Sequence, residues 1–139
     1  MAEYLFENYD LAKRRWEQAN EILGVSVTVV MFGADPEALK QTQVTQPAIF
    51  LHATILSEVM GDRFQPEMVA GHSLGEFSAL VAAGVFAFED GLRLVQERAL
   101  AMQAACDEVP GTMAAILGLE DEVVESVCKE ISGVVLPTN

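Results

Sequence analysis

Gly71-His72-Ser73-Leu74-Gly75 satisfies G-x-S-x-G, a spacing that sets a serine on a sharp turn between two glycines. Such a turn suits nucleophilic attack on an acyl carbonyl. The short apolar run Met68-Val69-Ala70 precedes it and reads as a strand. The Ala-, Leu- and Val-rich stretch from Glu76 to Gly84 follows it and reads as a helix. The turn strains the serine and exposes its hydroxyl, and side chains at the flanking glycines are expected to collide with the neighbouring strand and helix. The helix N-terminus adds partial positive charge behind Ser73, and the backbone N–H of Leu74 is the expected donor to a developing oxyanion. A serine nucleophile also needs a base, and the chain has two histidines, His52 and His72. The His72 ring is expected to project away from its neighbour's hydroxyl. His52 lies in an apolar helix, where a packed histidine is the commoner arrangement. The residues thus show half of a catalytic device: either Ser73 is not catalytic in this chain, or its base lies outside it.

The elements that must position this turn are those of a globular chain. At 139 residues with 51% hydrophobic composition, one domain with a real core is affordable in size. Eight Lys plus Arg against 21 Asp plus Glu leave a formal charge of −13. That excess excludes the basic footprint that nucleic-acid binding requires. The longest uncharged run, Gln41 to Ser57, contains Gln, Thr, His and Pro and does not read as a membrane span. The acidic N-terminus lacks the pattern of a secretory signal. Cys106 and Cys128 form no CxxC pair, so a cytoplasmic protein with two idle thiols is expected.

Apolar residues recur every three to four positions from Tyr4 to Leu23, where Gly24 signals a helix stop. The β-branched run Val25 to Phe32 reads as a strand or as a packed connection. Asp35-Pro36-Glu37 and Thr45-Gln46-Pro47 are helix starts, the second opening a long apolar, buried helix to Gly61. Phe88-Glu89-Asp90 opens another, carrying Leu92, Leu94, Val95, Ala99, Met102 and Ala105. Beyond Val109-Pro110-Gly111 the order is strand (Met113 to Leu117), helix (Glu120 to Ile131) and strand (Val134 to Leu136), a βαβ-like unit just begun.

From Gly71 through Leu80 the chain strongly resembles malonyl-CoA:acyl carrier protein transacylases of fatty acid synthesis. Gln43-Val44-Thr45-Gln46-Pro47-Ala48 is similar to that family's Q-T-Q-P-A segment. Arg98 with Met102-Gln103 is similar to its R-x-x-x-M-Q helix. Pro110 to Ile116 and Val135 to Asn139 resemble the opening of its small ferredoxin-like subdomain. The resemblance implies an α/β fold: residues 1–111 belong to a parallel-sheet, hydrolase-like large subdomain, and 112–139 begin the small one. It also implies a fragment, roughly the N-terminal half without the first strand and its G-Q-G turn, with the catalytic histidine beyond Asn139.

By that resemblance Ser73 takes a malonyl group from coenzyme A as an ester and passes it to the phosphopantetheine thiol of acyl carrier protein. Leu74 donates one oxyanion hydrogen bond, Arg98 grips the free malonyl carboxylate, and Gln46 lines the acyl pocket. Leu74 is also the residue that malonyl-selective members carry. No metal or cofactor is implied, malonyl-CoA being a substrate. On spacing alone, Arg98 reads as an exposed arginine paired with Glu97 or Asp90, and Gln46 reads also as a polar residue at a helix start. The cysteines and methionines read as packing. Two rivals remain: a serine hydrolase or thioesterase that releases its acyl group to water, and a truncated, non-catalytic module that binds carrier protein. Open apolar faces and strand edges in a fragment lead to an expectation of self-association.

Overall fold

The computed structural model describes residues 2–33 and 42–138. The helix start expected at Asp35-Pro36-Glu37 lies outside the described residues. The chain separates into two compact units, Met1–Val109 and Pro110–Asn139.

The first unit is helical: α1 (Glu3–Asn8), α2 (Asp10–Leu23), α3 (Val27–Phe32), α4 (Thr42–Met60), a 3₁₀ turn (Gly61–Arg63), α5 (Gly75–Ala82) and α6 (Phe88–Glu108). The helix expected from Tyr4 to Leu23 is broken at Tyr9, whose φ of −133° and ψ of 116° are extended. Asn8 Nδ2 donates to Tyr4 O at 2.8 Å, a local side-chain bond that competes with helix continuation. Gly24 ends α2 in the left-handed region at φ 68°, a conformation only glycine takes without cost. On α2, Ala12, Trp16, Ala19 and Leu23 form the buried stripe.

Two expectations about elements are corrected. Val27–Phe32 is a helix and not a strand; Val27 and Met31, one turn apart, are buried while Val29 faces out. A period-of-two strand would have put Val29 on the same face as Val27 and Met31, whereas a helix buries the pair and leaves Val29 outside, so packing overrides the β-branched propensity. The second correction concerns α4, which starts at Thr42, ahead of Thr45-Gln46-Pro47, so that Pro47 sits inside it. One face of α4 is buried through Gln46, Phe50, Leu51, Thr54 and Ile55, whereas Ile49 and Leu56 are exposed.

The core lies where α2, α4 and α6 pack together, with α3 and α5 at its edges. Trp16, Met31, Phe50, Leu51, Ile55, Leu92 and Val95 are fully buried. Burying each such side chain stabilises by roughly 1.5–3 kcal/mol. Trp16 meets Phe6 and Phe32 edge to face and those two rings tilt against each other, with centroids 5.2 to 6.0 Å apart. Gly91 allows α6 to approach α4 and α5: a Cβ there would lie 2.7 Å from Val81 Cγ2 and 3.0 Å from Phe50 Cζ. Arg15 ties three helices by donating to Glu58 Oε2 at 2.7 Å and Glu89 Oε1 at 3.4 Å, with its guanidinium 4.8 Å from the Phe88 ring centre.

In the second unit α7 (Asp121–Glu130) turns Val124 and Cys128 inward and carries a Glu125–Lys129 pair on its outer side. The strands expected at Met68–Ala70, Met113–Leu117 and Val134–Leu136 are not formed, and no strand occurs among the described residues. A strand exists through its ladder to a neighbour, and no such partner is present there. Cys106 is exposed, so it does not pack as expected.

Candidate functional site

Ser73 has φ 53°, one of two non-glycine residues in the left-handed region among the described residues. Three hydrogen bonds close the turn around it: Gly75 N–H to His72 O at 2.9 Å, Glu76 N–H to Ser73 O at 3.2 Å, and Phe77 N–H to Leu74 O at 3.1 Å. They commit the chain to α5 immediately after the serine. A residue in this region is strained by about 1–3 kcal/mol, and such strain persists where the surroundings over-determine it. Ser73 is exposed, while the Leu74 side chain is buried and anchors the turn.

Gly71 is required by close approach, because a Cβ there would overlap the Gly75 carbonyl and the Glu76 nitrogen. The same expectation for Gly75 is corrected: a Cβ at Gly75 meets nothing within 4 Å. Among the described residues no hydrogen bond engages the Leu74 N–H, which stands at the positive end of α5.

Arg98, on α6, reaches this turn. Its Nη2 donates to Ser73 Oγ at 2.8 Å and its Nη1 donates to Gln46 Oε1. Gln46, on α4, is 7% exposed, and its Nε2 donates to Met102 Sδ at 3.2 Å. Packing of α4 on α6 therefore brings Ser73, Arg98 and Gln46 into one hydrogen-bonded chain from three separate segments. Arg98 is half-buried and forms no ion pair with Glu97 or Asp90 among the described residues. In the sequence Met102 belongs to the R-x-x-x-M-Q similarity and otherwise reads as packing, with no partner assigned to it. The signal that could have found it is its position one turn beyond Arg98, on the same face of α6.

The histidines stay apart from this chain of contacts. His52 lies six residues beyond Gln46 on α4, about 240° round the helix, and so on a different face. His72 is exposed on the turn, and among the described residues neither ring is hydrogen-bonded to Ser73. An exposed hydroxyl on a strained turn, beside a fixed guanidinium, can accept an acyl group and hold an anionic end of it. Proton removal needs a group from elsewhere.

The acyl transferase domain family matches residues 1–137. The chain belongs to the acyl transferase domain family. Within it, the malonyl CoA-acyl carrier protein transacylase of Haemophilus influenzae is 38% identical over 129 residues, 91% of this chain and 41% of that protein. The Synechocystis protein of the same name is 43% identical over 127 residues, covering 91% of this chain and 42% of the relative. This acyl transferase chain thus spans about two-fifths of the length of the curated relatives it matches.

Solved structures carry the same likeness in three dimensions. The Helicobacter pylori malonyl-CoA:acyl carrier protein transacylase superposes with a TM-score of 0.84 at 32% identity, over 95% of this chain and 44% of its own. A malonyl-transacylase solved with its type II PKS acyl-carrier protein gives 0.81 at 34% identity, over 95% and 43%. The acyl transferase chain shares the acyltransferase fold of these proteins. No helix among its described residues is long and apolar enough to cross a membrane.

Proposed function

We propose that this chain carries the acyl-accepting part of a malonyl-CoA:acyl carrier protein transacylase. The observation that carries the reading is the Arg98 Nη2 to Ser73 Oγ contact at 2.8 Å, with the other arm of the guanidinium on Gln46. Ser73 Oγ attacks the thioester carbonyl carbon of malonyl-CoA, giving its proton to the base outside this chain that later returns it to the leaving thiolate, and the carbonyl oxygen becomes negative as the tetrahedral adduct forms. The Leu74 N–H donates to that oxygen. Collapse expels the coenzyme A thiolate, which takes up a proton, and leaves a malonyl-serine ester. Attack by the carrier protein's phosphopantetheine thiol reverses the steps and frees Ser73.

Arg98 selects the acyl group. A guanidinium offers two parallel N–H donors to a carboxylate, a fork that lysine does not reproduce. A hydrolase acting on neutral esters has no use for a cation hydrogen-bonded to its nucleophile, which favours malonyl transfer. Since neither His52 nor His72 reaches Ser73, the base belongs in this reading to the remaining length of the enzyme, and the chain alone is inactive. The parallel sheet belongs there too, with residues 1–111 in the hydrolase-like subdomain and 112–139 opening the ferredoxin-like one. The reading is of a cytoplasmic enzyme working on carrier protein and coenzyme A without metal or nucleic acid. Isolated, the chain self-associates through apolar faces such as Ile49 and Leu56 on α4.

The test is to incubate the full-length product of the reading frame with malonyl-CoA and measure intact mass. A malonyl adduct that maps to Ser73 and vanishes in Ser73→Ala is expected. Labelling that persists in Ser73→Ala would sink the assignment.

A further inference from the structure

The orientation of the Gln46 amide follows from which atoms can donate. Arg98 carries N–H donors and no acceptor, and its Nη1 donates to Gln46 Oε1. The amide oxygen must face the guanidinium, which turns Nε2 into the wall of the site. Gln46 is only 7% exposed, so this NH₂ cannot turn to water, and a buried donor left unpaired is costly. What it meets is Met102 Sδ at 3.2 Å. A thioether accepts weakly and has no hydrogen to give. In the flipped amide, Oε1 would face sulfur and Nε2 would face the guanidinium, two mismatches at once. One helix, α6, supplies both the residue that needs the oxygen and the residue that takes the hydrogens, one turn apart.

We infer that Met102 is a positioning residue: its thioether holds the Gln46 amide in the one orientation that lets Oε1 fix Arg98 with its other arm on Ser73. The consequence for selectivity rests on the malonyl reading above; the amide orientation does not. A side chain that merely filled space at this position would act equally whatever stood at residue 46. Met102 instead acts through the N–H groups of Gln46.

The experiment has two readouts. In ¹⁵N-labelled protein, Met102→Leu keeps the volume and removes the acceptor; both Gln46 side-chain N–H resonances should shift and exchange with water at least about fivefold faster. Unchanged resonances overturn the inference. In the full-length enzyme, the same variant should raise KM for malonyl-CoA about three- to tenfold while leaving kcat/KM for acetyl-CoA within about twofold. A Gln46→Glu background has no amide N–H to satisfy, so there Met102→Leu should change nothing further. An equal effect in both backgrounds makes Met102 simple packing and overturns the inference. Arg98→Ala separates the two claims: if it leaves the malonyl-to-acetyl ratio unchanged, Arg98 is structural and does not select the acyl group, and the Gln46 resonances still decide the role of Met102.

Discussion

Arg98 Nη2 donates to Ser73 Oγ at 2.8 Å, across 25 residues of chain. Because arginine donates and never accepts, Ser73 receives this hydrogen bond and keeps its own proton to give to a base. In the proposed reading the same cation receives the carboxylate of the acyl group that Ser73 acquires. Replacing it should therefore discriminate between acyl groups. In the full-length enzyme, Arg98→Ala should slow malonylation of Ser73 about 10- to 100-fold, the worth of a charge-assisted pair, and leave acetyl transfer unchanged or faster. Rates for the two thioesters, measured side by side, check this; equal losses would make Arg98 structural.

The strain at Ser73 has a measurable counterpart. At φ 53° a side chain is disfavoured and glycine is not. Ser73→Ala removes the hydroxyl and keeps the strain, while Ser73→Gly removes both. The glycine variant should be more stable than the alanine one by about 1 kcal/mol, seen as a higher melting temperature, with both unable to form the ester. Equal melting temperatures would show that the turn stores no strain at this residue.

The two glycines of the turn should respond differently. Gly71→Ala drives a methyl into the backbone at Gly75 and Glu76, which cannot yield without unwinding the first turn of α5. A loss of at least about 2 kcal/mol is expected in chemical denaturation. Gly75→Ala meets open space in this chain and starts a helix, so its effect should stay within about 0.5 kcal/mol. Comparable losses at both positions would contradict the geometry.

Glu89 links stability to pH. Its carboxylate is held below its usual value chiefly by a hydrogen bond from its own backbone N–H in the first turn of α6, then by Gln18, Arg15 and Arg93, against an opposing effect of burial. Gln18 Nε2 donates to it at 2.5 Å. The folded state therefore favours the ionised form. Its stabilisation is complete above the unfolded-state pKa and disappears as pH falls through the lowered folded value. Unfolding free energies taken from neutral into acid conditions should decline less steeply in Glu89→Gln than in the parent. Parallel curves would show that Glu89 contributes nothing to the acid response.

Residues close together in sequence were legible because their constraints are local. Gly71-His72-Ser73-Leu74-Gly75 announced a strained serine with a helix behind it, and the three-to-four spacing of Ala12, Trp16 and Ala19 announced the buried face of α2. The start at Phe88 carries Glu89 and Asp90 in its first turn and the stop at Gly24 is a left-handed cap, preferences that act within one turn of helix. Resemblance to a family added Arg98, which spacing reads as an exposed helix arginine, and Gln46, which it reads as a polar residue at a helix start. Where an element depends on its neighbours, local reading failed. Val27–Phe32 is helical because a helix buries Val27 and Met31 and leaves Val29 outside, and α4 runs through Pro47 with Gln46 and Ala48 buried on either side of it. Propensities of ordinary residues differ by less than about 1 kcal/mol, less than the burial of one large side chain, and the roughly 3 kcal/mol that a proline costs inside a helix is outweighed by the burial of several.

From the residues in order one could tell that the chain is acidic and core-forming, that Ser73 sits on a G-x-S-x-G turn, and that no base stands beside it. Folding alone settled which distant groups meet that serine. Gln46 and Arg98 are 52 positions apart, and Gln46 and Met102 are 56 apart. Their hydrogen bonds exist because α4 lies against α6 in one register, and a register between helices is set by the interlocking of many side chains. No local pattern carries that information, which is why the serine could be read from the sequence and the thioether that orients its arginine could not.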